Sequence, residues 1–131
     1  MLPRTDSNLD TQETAWQPVC HVDDLIPGMG VCARAHGRQI AIFLTDEGIF
    51  ALDNLDPFSQ AAILARGIVC DLKGRTVVAS PMYKQHFCLQ TGLCIEDESM
   101  SVHSWPLRRD AGGTISAATP LAMRENDHAC A

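Results

Sequence analysis

The chain has 131 residues, 46% hydrophobic and 20% charged, which is the composition of one ordinary globular domain. Sixteen acidic residues against ten basic ones leave a formal charge of -6, which argues against nucleic acid and anionic membranes as partners. No apolar stretch nears the roughly 18 residues of a membrane span. The polar opening, residues 1–14 with Asp6, Asp10 and Glu13, lacks the apolar segment of a secretory signal, so a cytoplasmic location is expected.

Residues 1–14 read as an N-terminal tail, 15–118 as one folded domain and 119–131 as a C-terminal tail. Within the domain, turn signals recur at short intervals between runs rich in β-branched and aromatic residues, the rhythm of an all-β sandwich or barrel. Trp16 to His21 predicts a first strand. Gly30 to Ala35 and Arg38 to Thr45 predict a hairpin over His36-Gly37, and Ile49 to Asp53 the strand after it. Ile40 to Leu44 is apolar without alternation, which places that strand in the interior with both faces covered. Ser59 to Gly67 predicts one short helix, capped by Ser59, carried by Ala61-Ala62-Ile63-Leu64-Ala65 and ended by Gly67. Ile68 to Cys70 and Thr76 to Ser80 flank Lys73-Gly74, and His86 to Leu89 and Leu93 to Glu96 flank Thr91-Gly92. Met100 to Arg108 and Thr114 to Ala118 close a set of about ten short strands. Along the first of these two, His103, Trp105 and Leu107 alternate, with one face packed into the core and His103 at its edge.

The six cysteines stand at positions 20, 32, 70, 88, 94 and 130, and no pair has the Cys-x-x-Cys spacing of a zinc ribbon or a thioredoxin-type site. In a reducing compartment they read as free thiols, mostly small buried hydrophobes. No Gly-rich nucleotide-binding turn joins a strand to a helix, and no serine, histidine and carboxylate are tied together by spacing. Glu96-Asp97-Glu98 reads as a solvated acidic turn rather than an acid–base pair.

Two loops carry the most information. One is Ala51-Leu52-Asp53-Asn54-Leu55-Asp56-Pro57-Phe58, and the other runs from Val78-Ala79-Ser80-Pro81-Met82-Tyr83-Lys84-Gln85-His86-Phe87 to Thr91-Gly92. Together they resemble the Rieske iron–sulfur fold, in which one loop carries Cys-x-His and the other Cys-Pro-x-His, two thiolates for one iron and two imidazoles for the other. Here the four ligand positions fall on Asp56, Phe58, Ser80 and Tyr83, none of which supplies a thiolate or an imidazole. The scaffold marks Asn54, Pro57, Pro81, Phe87, Leu89, Thr91 and Gly92 remain, so the resemblance implies a Rieske-like domain without its cluster.

That ligand-free version is similar to the small subunit of the assimilatory NAD(P)H-dependent nitrite reductase, on Ala51 to Ser59, Arg66-Gly67-Ile68-Val69, Val78 to Phe87, the acidic run Glu96-Asp97-Glu98 after Thr91-Gly92, and the opening Trp16 to Val31. Gln60 and Cys70 stand where glycine is usual in that family, Ala65 where serine is, and Cys88 where aspartate is. These four departures put local turns in question but not the fold, and Cys88 also predicts a missing polar contact in the second loop. The resemblance implies a small subunit with no catalytic or metal centre of its own. It would dock on a large subunit carrying FAD, siroheme and an iron–sulfur cluster, which reduces nitrite to ammonium.

Asp56 and Tyr83 are expected to hydrogen-bond across the loop tips and close the site. Lys84, Gln85 and His86 are the expected partner surface. Two alternatives stay open at this level: an interaction module of another oxidoreductase, and a stand-alone redox or metal protein. In the latter, His86 and Cys88 share one strand face and Cys94 joins them from across the hairpin.

Overall fold

A computed structural model describes residues 15–121. The described chain forms strands β1 (Gln17–His21), β2 (Gly30–Ala35), β3 (Arg38–Thr45), β4 (Gly48–Asp53), β5 (Leu55–Asp56) and β6 (Ala61–Ala62) in its first half. Strands β7 (Ile68–Leu72), β8 (Arg75–Ala79), β9 (His86–Cys88), β10 (Ser104–Trp105), β11 (Leu107–Arg109) and β12 (Thr114–Ala117) follow. Among the described residues, three single 3-10 turns accompany the strands, Val22–Asp24, Leu64–Arg66 and Glu98–Met100. Hydrogen bonding joins the strands into four antiparallel sheets in the orders β1-β12-β11, β10-β4-β3-β2, β5-β6 and β7-β8-β9. The all-β reading of the sequence holds.

The strand that lacks alternation is the centre of the molecule. Ile40, Ala41, Ile42 and Phe43 of β3 are fully buried. Successive side chains point to opposite faces. Ala41 and Phe43 join a core with Leu52, Leu64, Val78, Phe87, Leu89, Cys94 and Val102. Ile40 and Ile42 join a second core with Leu25, Ala35, Ala51, Trp105 and Ala117. The four-stranded sheet thus has a core on each face. One core packs under β7-β8-β9 and both functional loops, and the other holds Ala117 of β12.

Tight turns set the strand register. His36-Gly37 and Lys73-Gly74 are two-residue hairpin loops with positive φ at both positions (52 and 79, 53 and 83), the form whose twist matches that of paired strands.

Three expectations are corrected. Ser59 to Gly67 is not a helix. Gln60 adopts φ 61, Ala61 and Ala62 pair with Asp56 and Leu55, and one 3-10 turn remains at Leu64–Arg66. The helical preference of the alanines is overridden because the amides of Leu64 and Ala65 bond instead to the Asn54 backbone and side-chain oxygens. Leu93 to Glu96 contributes only a bridge between Cys94 and Phe87 rather than a full strand. The predicted strand from Met100 to Arg108 starts with a 3-10 turn and divides at Pro106 into β10, which pairs with β4, and β11, which pairs with β12. Proline donates no ladder hydrogen bond, so the chain changes sheets there.

Candidate functional site

The two loops are built alike. In the first, the Asp56 carbonyl accepts from the Gln60 amide (2.7 Å) and its Oδ1 accepts from the Phe58 amide (2.9 Å). In the second, the Ser80 carbonyl accepts from the Lys84 amide (3.0 Å) and its Oγ lies 3.4 Å from the Met82 amide. Each loop is thus an i to i+4 turn opened by a polar side chain that turns back on its own backbone. Each also ends on a non-glycine residue in the left-handed region, Gln60 at φ 61 and Lys84 at φ 66. Gln60 stands where the resemblance expects glycine, and it takes the conformation that glycine adopts most readily.

The two opening residues meet. Ser80 Oγ donates to Asp56 Oδ2 at 2.5 Å, and both residues are buried. A buried carboxylate is tolerated only where hydrogen bonds replace water. Asp56 has them at both oxygens, from Ser80 and from the Phe58 amide. The loops are therefore bridged, but by Asp56 and Ser80. Tyr83, the expected partner of Asp56, is 58% exposed. Phe58 turns inward and its ring lies 6.3 Å from that of Phe87, in the core beneath the loops. The four positions assigned to cluster ligands are thus a carboxylate and a hydroxyl bonded to one another, a phenyl ring packed in the core and an exposed phenol. This donor set does not fit a [2Fe-2S] cluster, which needs thiolates and imidazoles. Among the described residues, no group of three or more His, Cys, Asp and Glu is placed to hold a metal ion.

Asn54 ties the first loop to the sheet. It is buried, its Nδ2 donates to Gln39 Oε1 and the Ala62 carbonyl (3.2 Å each), and its Oδ1 accepts from the Ala65 amide (2.7 Å). A neighbouring network went unnoticed in the sequence. Asp53 accepts from Trp105 Nε1, from the His103 amide and from His103 Nδ1, each at 2.8 Å. The available signal was Trp105, whose indole N–H needs an acceptor when the ring is buried. His103 lies at the core edge, as expected.

The expected partner surface divides. Lys84 is exposed, whereas Gln85 is half-buried with its Oε1 enclosed and without a hydrogen-bond partner. His86 bonds Glu96 twice, through its amide (2.8 Å) and its Nδ1 (2.5 Å). Partial burial pushes the Glu96 carboxyl up, but these two bonds, together with its own amide and the nearby His86 ring, outweigh it and hold the group below the usual glutamate range.

The His86, Cys88 and Cys94 alternative loses its geometry. Cys94 sits across from Phe87, so its side chain shares the core face with that ring, while His86 and Cys88 point the other way. Cys88 itself is buried at the end of β9. Burial pushes its thiol up, yet hydrogen bonds from the Thr91 hydroxyl and from the amides of Thr91 and Gln90, with the charge of Arg75, hold it below the usual cysteine value.

A Rieske-like domain is what the paired loops on a β scaffold define, and the family model described as "Rieske-like [2Fe-2S] domain" matches residues 15–117. The chain is 46% identical over 95 residues to the nitrite reductase (NADH) small subunit of Salmonella typhimurium strain LT2, covering 71% of this chain and 88% of that one. A crystal structure attributed to the same small subunit from Mycobacterium tuberculosis superposes with a TM-score of 0.77 at 44% identity, over 81% of this chain and 96% of that one. This chain belongs to the nitrite reductase small-subunit family, within the Rieske-like domains. It is also 38% identical over 97 residues, 74% of its length, to a segment making up 10% of the nitrite reductase [NAD(P)H] large subunit of Klebsiella oxytoca.

Proposed function

We propose that this chain is a cluster-free small subunit of a cytoplasmic NAD(P)H-dependent nitrite reductase, which docks on the large subunit and supports its reduction of nitrite to ammonium. In this reading Asp56, Phe58, Ser80 and Tyr83 are former ligand positions, and the Asp56–Ser80 bond holds together what metal would hold in a cluster-bearing relative. Electron transfer from NAD(P)H belongs to the FAD, siroheme and iron–sulfur cluster of the large subunit, and Lys84, Gln85 and His86 contribute to the contact.

One observation carries the partnership: a homologous domain lies inside a relative named as a large subunit, within one polypeptide. A domain that is covalently part of the large chain in one protein is suited to bind it as a separate chain in another. The reading is also consistent with the absence, among the described residues, of any helix long and apolar enough to cross a membrane.

The test is co-expression with the large subunit from the same genome. A tagged copy of this chain retains that subunit through purification, whereas failure to retain it contradicts the proposal. Incubation of the isolated chain with iron, sulfide and thiol under anaerobic conditions leaves it colourless. A stoichiometric brown product would contradict the cluster-free reading.

A further inference from the structure

The outer face of the β7-β8-β9 sheet is apolar where a solvent-facing antiparallel sheet is ordinarily polar. Its inner face supplies Val78, Phe87 and Cys94 to the core. By alternation, the outer face carries two cross-strand rows. The first is Ile68, Ala79, His86 and Ile95, from the pairings of Ile68 with Ala79 and Ala79 with His86 and the Ile95 amide bond to the His86 carbonyl. The second is Cys70, Val77, Cys88 and Leu93, from the pairings of Cys70 with Val77 and Val77 with Cys88 and the Cys88 amide bond to the Leu93 carbonyl. Of these eight side chains only His86 is polar; Val77 and Cys88 are buried beneath their neighbours, Ile68 is exposed and the other five are partly exposed. Ile68 is 71% exposed, the most of any large hydrophobic residue among those described. Below the second row a hollow of about 220 Å³ opens between Leu72, Lys73, Arg75, Leu93 and Ile95. It can receive a partner's apolar side chain, the arrangement in which a few anchors dominate binding.

Charge selects the occupant. The chain turns directly from Ile95 into Glu96-Asp97-Glu98, three exposed acidic residues on the rim of this face. Lys73 and Arg75 line the hollow itself, so a fitting partner presents an apolar anchor with a carboxylate beside the hollow and lysine or arginine toward Glu96-Asp97-Glu98. A second copy of this chain fits less well, because its net charge of -6 repels its like. We infer that this sheet face, not the loop cluster alone, is the docking surface for the nitrite reductase large subunit, with Ile68 and the Leu93–Ile95 hollow at its centre. The inference rests on the function proposed above and gives that contact a location. His86 belongs to both surfaces, so the loop cluster becomes the margin of a larger patch.

The experiment measures binding of the purified large subunit by the full chain and three variants. Ile68→Lys and Leu93→Lys place a charge on the face, and Met29→Lys places one on an exposed side chain of the 26–29 turn, outside it. The expected result is a loss of affinity of about ten-fold or more for the first two, little change for Met29→Lys, and weaker wild-type binding as salt rises. Ile68→Lys binding as tightly as wild type would overturn the inference while leaving the proposed function standing. Wild type failing to bind removes both. Light scattering that finds a dimer dissolved by Ile68→Lys would assign the face to a second copy instead. Amide hydrogen exchange on the wild-type complex tests the same surface without a variant: protection of 68–72 and 93–95 is expected, and unchanged exchange there overturns it.

Discussion

Asp56 and Ser80 show how the site works at the scale of single side chains. Each anchors its own loop through a backbone turn, and each is the other's partner across 24 residues of sequence. Removing the serine hydroxyl leaves a buried carboxyl group with one oxygen unmatched, and a hydrogen bond to such a group is worth about 2 kcal/mol. Ser80→Ala is therefore expected to lower the unfolding free energy by about 2 kcal/mol. The double variant Asp56→Ala, Ser80→Ala should cost clearly less than the sum of the single changes, because the two residues share one interaction. Urea unfolding of the four proteins checks this, and strict additivity would contradict it. The pairing was not legible in the sequence. Asp56 and Ser80 could be singled out by position, but whether Asp56 faced Ser80 or Tyr83 depended on the turn inside the second loop. In that turn, left-handed Lys84 closes the chain back on Ser80 and leaves Tyr83 outside.

At the scale of elements, local preference and tertiary pairing disagree between Ser59 and Gly67, and pairing wins. The alanine run favours helix, yet Gln60 in the left-handed region starts a short strand pair and Asn54 captures the amide of Ala65. A non-glycine residue at such φ costs about 1 kcal/mol. Gln60→Gly is expected to be neutral or stabilising by up to about 1 kcal/mol, and Gln60→Val destabilising by about 1 kcal/mol, as read from thermal unfolding. The β9 hairpin carries a pH dependence. Glu96 ionises more readily folded than unfolded because His86 bonds its charged form. Its contribution is thus present above the ordinary glutamate value of about 4.3 and fades as pH falls through the lower folded value. Glu96→Gln should lower the melting temperature at pH 7 and make little difference near pH 3. The effect is modest, since the side chain is 43% exposed and salt screens it. An equal loss at both pH values would contradict the mechanism.

At the scale of the whole molecule, the acidic charge and the cysteines take their meaning from the fold. Cys94 is a core hydrophobe and Cys88 is buried at the end of β9, so both serve as small apolar side chains. The interior strand was legible in Ile40 to Leu44, because five apolar residues in a row leave neither face polar, and the hairpins were legible in their His-Gly and Lys-Gly turns. The outer face of β7-β8-β9 was not. It depends on which of two alternating sets faces the core, and Cys70, Val77 and Cys88 read as interior on either side.

In the proposed assembly this domain serves the large subunit without a redox centre of its own. The most direct test is NAD(P)H-dependent nitrite reduction by the purified large subunit with and without this chain. Activity is expected to rise as the chain is added and to level off at a fixed ratio of the two subunits. Activity that stays the same at every ratio, with no complex formed, would contradict it.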